Sequence, residues 1–128
     1  MIFVDTSALY ALLDETDPRH EDAASTLKAV EAAGAGTSNY VAVESAALVE
    51  RRLGRRATMV LFDLLSPMEI VWVDEPVHRA ATAAFLQRGA DGPSLVDCAS
   101  FEVMRLRGID TAFAFDRHFA DAGFELAD

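Results

Sequence analysis

A chain of 128 residues, 52% of them hydrophobic, is long enough to bury a substantial core and too apolar to remain disordered. Its net charge of −10, from 11 basic and 21 acidic residues, argues against binding nucleic acid by phosphate neutralisation alone, unless some of the acids are gathered around divalent cations. A single cysteine, Cys98, excludes an internal disulfide and a multi-cysteine zinc site. No apolar run reaches the roughly 18 residues of a membrane span, and the start lacks the pattern of a signal peptide. These features predict one cytoplasmic domain over residues 1–128.

Ile2-Phe3-Val4 reads as a short buried strand that ends in Asp5. Thr6 and Ser7 follow, and a helix over Ser7–Asp14 is expected. Asp5 has two readings, a helix cap or a chemical group at the carboxyl end of a strand. Thr16-Asp17-Pro18 marks a turn, with Asp17 as cap and Pro18 as first residue of a helix running to about Ala33. Gly34 and Gly36 stop it, and Thr37-Ser38-Asn39 holds the end of a short strand. Asn39 caps a helix from Tyr40 to Leu53, which Gly54 breaks. An amphipathic helix spans Arg55 to Leu65, before Ser66-Pro67.

Glu69–Val73 is a strand. Glu75-Pro76 opens a helix that ends near Gly89, and Ala90–Pro93 is a loop. Ser94 caps a helix from Leu95 to Arg107, closed by Gly108. Thr111–Phe115 is a strand ending in Asp116, followed by a turn of helix, Gly123 and a last strand, Phe124–Ala127. Strands alternating with helices predict an α/β fold, three-layer, with a mostly parallel central sheet flanked by helices. Every carboxyl end of the strands then lies on one edge.

Asp116 repeats the pattern of Asp5: apolar strand, carboxylate, helix. Asp97 stands in the first turn of its helix, on a face shared with Phe101 and Met104. Glu44 is the lone charge in a run from Tyr40 to Leu48 and shares a face with Val41 and Leu48. Each has an ordinary explanation as a cap, a dipole partner or a solvated edge residue. Together, four carboxylates on apolar flanks are costly unless paired or bound to a cation. Without a companion set of His or Cys, they favour a hard ion, Mg²⁺ or Mn²⁺.

Asp5 after an N-terminal strand, Glu44 on an early helix, Ser94-Leu95-Val96-Asp97-Cys98 and Phe115-Asp116-Arg117-His118-Phe119 together resemble a PIN domain. More narrowly, they resemble VapC-type toxins of bacterial toxin–antitoxin pairs. The resemblance covers essentially the whole chain. It implies a metal-dependent endoribonuclease that hydrolyses RNA phosphodiester bonds, a cognate antitoxin and a homodimer. It makes Asp5, Glu44 and Asp97 the core acids, with Asp116 a more variable fourth. Asp5 and Asp97 are expected to bind the ion directly, and Glu44 and Asp116 through water or at a second ion.

Thr6 and Ser94 are candidates to orient a ligand or bind the scissile phosphate, set against a plain capping role. Arg117 is a candidate substrate contact. His118 is a weaker candidate for a general base, because the metal already supplies the nucleophile. Arg51-Arg52-Leu53-Gly54-Arg55-Arg56 either contacts RNA or only complements a helix end. Two other functions fit parts of the chain: a haloacid-dehalogenase-like phosphatase, which wants a second Asp where Ser7 stands, and a PIN-like module that binds without catalysis.

Overall fold

The computed structural model covers residues 1–128. Its elements in chain order are β1 (Ile2–Val4), α1 (Thr6–Leu13), α2 (His20–Ala33), β2 (Ala35–Ser38), α3 (Asn39–Leu53) and α4 (Arg55–Leu65). They continue with β3 (Glu69–Val71), α5 (Glu75–Gln87), α6 (Leu95–Arg107), β4 (Thr111–Phe113), α7 (Arg117–Asp121) and β5 (Glu125–Leu126). The five strands form one sheet in the order β3-β2-β1-β4-β5. Every pairing is parallel. No helix is long and apolar enough to cross a membrane.

The chain first moves outward from β1 to β2 to β3, then returns to lay β4 against the other side of β1. With right-handed crossovers, the connections before and after this reversal lie on opposite faces. Burial on both faces explains why β1 and β4 are mostly apolar. Phe3 and Val4 of β1 and Ala112 and Phe113 of β4 are all buried. Leu9, Leu61, Met104 and Phe119 complete the core from the helices. Full burial of Phe3 or Phe113 contributes about 1.5–3 kcal/mol each. Phe119 stands edge-on to Phe101 at 5.0 Å and so anchors α7 to α6.

Several element boundaries differ from the sequence expectation, each for a local reason. Helix α1 starts at Thr6, and α2 starts at His20 rather than Pro18. Asp17 does not cap α2. Its carboxylate accepts from the Arg19 amide at 2.8 Å and its carbonyl from the His20 amide at 2.9 Å, closing a separate turn. Strand β2 begins at Ala35 and runs through Gly36. Ser38, not Asn39, caps α3 by accepting from the Val41 amide. Asn39 is the first helical residue, and its Oδ1 accepts from the Val73 amide at 2.6 Å.

That bond shortens β3. Beyond Val71 the backbone pairs with a side chain, not a strand, so the expected extension to Val73 is absent. The same happens at β4, which stops at Phe113 because the Phe115 amide donates to Ser7 Oγ at 2.9 Å. Helix α5 is capped by Asp74 and ends at Gln87. Strand β5 spans only Glu125–Leu126 at the sheet edge. Gly108 ends α6 in the left-handed conformation, φ 66°, where a side chain would be strained.

Candidate metal centre

The reversal of strand order places β1 beside β4, and the crevice outside their carboxyl ends is where open α/β sheets bind ligands. Asp5 leaves β1 at this edge and is only 3% exposed. Its amide still donates to the Phe113 carbonyl at 3.0 Å, which ties it to β4. Its Oδ2 accepts from the Ser7 amide at 3.1 Å and the Ser7 hydroxyl at 2.7 Å. Asp5 therefore does cap α1, but only through Oδ2. Both readings of Asp5 are compatible, since Oδ1 stays free of these bonds.

Ser7 does more than support Asp5. Its Oγ also accepts the Phe115 amide, so one hydroxyl links α1, the end of β1 and the segment leading to Asp116. Thr6 Oγ1 donates to Glu44 Oε1 at 2.6 Å and holds the α3 carboxylate toward the crevice. Asp97 sits in a reciprocal cap at the start of α6. Its Oδ2 accepts the Ser94 amide and its own amide donates to Ser94 Oγ, both at 3.1 Å. Asp116 caps α7 by accepting the His118 amide on Oδ1 at 2.9 Å.

These residues converge on an open cleft of about 710 Å³. Asp5, Glu44, Asp97 and Asp116 all line it, as do Thr6 and Ser94. Arg117 does not. It is exposed and lines a neighbouring cavity of about 550 Å³ together with Arg19 and Phe115. Of the arginines between 51 and 56, only Arg51 reaches the acidic cleft. Arg52 stacks over Tyr10, and Arg55 pairs with Glu50.

Two contributors were not singled out from sequence, and a third was given a different role there. Ser7 is one. Arg88 is another: it lines the cleft, donates to the Gly89 carbonyl at 2.7 Å and stacks over Phe85 at 4.2 Å. The third is the placement of His118, whose Nδ1 lies 2.8 Å from Asp116 Oδ1 and 3.8 Å from Asp97 Oδ2. A ring nitrogen and two carboxylates thus offer ligand atoms within 4.8 Å of one another.

The electrostatics show what the cleft lacks. Burial raises Asp5 from its ordinary 3.8 to about 6, against the opposing hydrogen bonds from Ser7, and the Glu44 charge raises it further. Burial also raises Asp97 to about 7, and repulsion from Asp5 and Asp116 adds to it. Both acids resist ionising because they are buried and stand close to other carboxylates. A divalent cation would remove that cost, and carboxylate oxygens are the donors Mg²⁺ and Mn²⁺ accept. The donor set therefore fits such an ion.

Known proteins place this arrangement in context. Residues 2–125 match the PIN domain family. The chain is 37% identical over 126 residues to the 23S rRNA-specific endonuclease VapC20 of Mycobacterium tuberculosis, covering 97% of this chain and 95% of that protein. The crystal structure of VapC20, described as a Sarcin-Ricin loop cleaving toxin, superposes with a TM-score of 0.83 at 35% identity, covering 97% and 96% of the two chains. VapBC2 from Rickettsia felis, solved bound to a DNA fragment from its promoter, shares the fold at a TM-score of 0.70 and 13% identity, covering 98% of this chain and 97% of that one.

Proposed function

Because this chain belongs to the PIN-domain family, we propose that its acidic cleft is the active site of an endoribonuclease toxin that hydrolyses RNA phosphodiester bonds. The observation that carries this reading is the convergence of Asp5, Glu44, Asp97 and Asp116 from four separate elements on one cleft at the strand reversal. Asp5 and Asp97 are assigned as direct ligands of Mg²⁺ or Mn²⁺. Glu44, held by Thr6, and Asp116 complete the set directly or through water. When bound, the ion lowers the pKa of water and stabilises charge on the phosphate and the departing oxygen.

The protein's own part is positioning. Ser7 and Thr6 orient Asp5 and Glu44, and Ser94 fixes Asp97 at the positive end of α6. Arg51 and Arg88 are the cations lining the cleft, placed to meet phosphates that flank the scissile one. Arg117, the residue after Asp116, is assigned to more distant substrate contacts.

The finer substrate assignment is ribosomal RNA of the 23S class, supported by the identity with VapC20 along nearly the whole chain. A cognate antitoxin is the assigned protein partner, and a basic side chain inserted into the cleft would match its charge. A second copy of the chain is assigned to the apolar side chains left exposed on helices, including Met59, Val60 and Phe62 of α4. A phosphatase of the haloacid-dehalogenase type has no support, since Ser7 replaces its second acid and its hydroxyl is already committed to Asp5 and Phe115.

The deciding experiment incubates ribosomes and protein-free rRNA with the wild type, Asp5→Asn and Asp97→Asn in Mg²⁺ or Mn²⁺, and maps breaks by primer extension. Discrete cuts made by the wild type alone support the assignment. Equal cutting by all three points to a contaminating nuclease. Metal binding with no cleavage of any RNA would favour a non-catalytic module.

A further inference from the structure

We infer that His118 is a nitrogen ligand of the cation site and biases that site toward Mn²⁺ over Mg²⁺. The inference rests on the metal-centre reading above and goes beyond it in naming a residue and a metal preference. His118 Nε2 lies 3.1 Å from the Asp91 carbonyl oxygen. A carbonyl can only accept, so Nε2 carries the ring proton and, in the neutral ring, Nδ1 keeps its lone pair.

That lone pair is in an unusual position. Nδ1 is buried and has no hydrogen-bond partner. It lies beside Asp116 Oδ1 at 2.8 Å and near Asp97 Oδ2 at 3.8 Å, and both atoms are acceptors. Three atoms that can each offer a lone pair thus crowd together, an arrangement relieved by a shared proton or a shared cation. All three lie within 4.8 Å of one another, close enough to reach one ion. Ligands about 2.0–2.1 Å from an octahedral centre are about 3 Å apart when adjacent and about 4.2 Å apart when opposite.

The remote side of the ring fits the same role. Metal-bound histidines commonly donate their other N–H to a carbonyl or carboxylate, which fixes the tautomer and the ring plane. The loop carrying Asp91 supplies that acceptor here. Carboxylates and water serve Mg²⁺ well, whereas an imidazole ligand favours transition metals. An all-oxygen site would not discriminate in this way. The competing arrangement is a doubly protonated His118 acting as an internal counter-ion to Asp116 and Asp97, displaced when a metal enters.

The test loads the wild type with one equivalent of Mn²⁺ and records its pulsed electron paramagnetic resonance spectrum. Nitrogen modulation from a directly bound imidazole is expected, and it disappears in His118→Ala and His118→Gln. Calorimetry on the same proteins is expected to show Mn²⁺ binding weakened by about tenfold or more, with a smaller loss for Mg²⁺. Thermal melts verify that each variant is folded, and the wild-type spectrum needs no variant at all. Bound Mn²⁺ without nitrogen coupling, alongside intact RNA cleavage, overturns this inference and leaves the nuclease reading standing. Absence of any metal binding and of cleavage in the wild type overturns both. Equal losses for the two ions overturn the claimed preference.

Discussion

Thr6 Oγ1 donates a 2.6 Å hydrogen bond to Glu44 Oε1, joining the first residue of α1 to a carboxylate on α3. A bond to a charged acceptor contributes about 1.5–3 kcal/mol to holding that geometry. Thr6→Val keeps the shape and removes the donor. It is expected to lower RNA cleavage by about 10–100-fold, while Thr6→Ser retains most activity. Steady-state cleavage of a defined RNA checks this, and equal activity of Thr6→Val and wild type would rule out the positioning role.

Ser7→Ala should act first on stability. It strips the Phe115 amide of its acceptor and Asp5 of the hydroxyl bond, leaving only the residue 7 amide to support Asp5. Leaving a half-buried amide unpaired costs about 1–3 kcal/mol. Urea denaturation should show a lower midpoint at an unchanged slope. The Ser7 hydroxyl also opposes the upward shift of Asp5. Metal binding by Ser7→Ala should therefore need a higher pH than in the wild type.

The metal-free protein should lose stability as pH rises. Asp5 and Asp97 have an ordinary value of 3.8, and the fold raises them to about 6 and about 7. Between those values the native state holds more protons than the unfolded state, so unfolding becomes easier with each step up in pH. With chelator present, the melting temperature is expected to fall from about pH 4 to about pH 7, with a loss on the order of a few kcal/mol in stability. Asp97→Asn should flatten that trend. Mn²⁺ or Mg²⁺ added at the upper end should reverse it. A melting temperature that climbs with pH in chelator would contradict the burial argument.

Asp5→Asn separates function from stability. The amide oxygen can still accept from Ser7 and cap α1. The charge is gone, and with it an oxygen suited to a divalent ion. Cleavage is expected to drop by about two to three orders of magnitude or more. The metal-free variant should nevertheless melt higher than wild type at neutral pH. A variant that is both inactive and less stable would mean that Asp5 matters mainly to the fold.

Much of the site was legible because local pattern and burial pointed the same way. Asp5 and Asp116 each end an apolar strand and open a helix. Asp97 and Glu44 are charges on faces otherwise apolar. What escaped depends on partners far away in the chain. Ser7 meets the Phe115 amide across 108 residues, and His118 meets the Asp91 carbonyl across 27. His118 read from sequence only as a weak base, since its nearness to Asp97 exists only once α6 and α7 pack. The capping errors have another cause. Asp17 and Asn39 are good caps by type, but Asp17 closes its own turn and Asn39 is taken by Val73.

The return of the chain to lay β4 beside β1 sets the order in which the centre is assembled. A chain synthesised as far as α5 already carries Asp5 and Glu44 but has neither Asp97 nor Asp116. It also has no β4 to flank β1 or to receive the Asp5 amide. A nascent chain therefore cannot gather the four carboxylates until α6 and the segment after β4 have emerged.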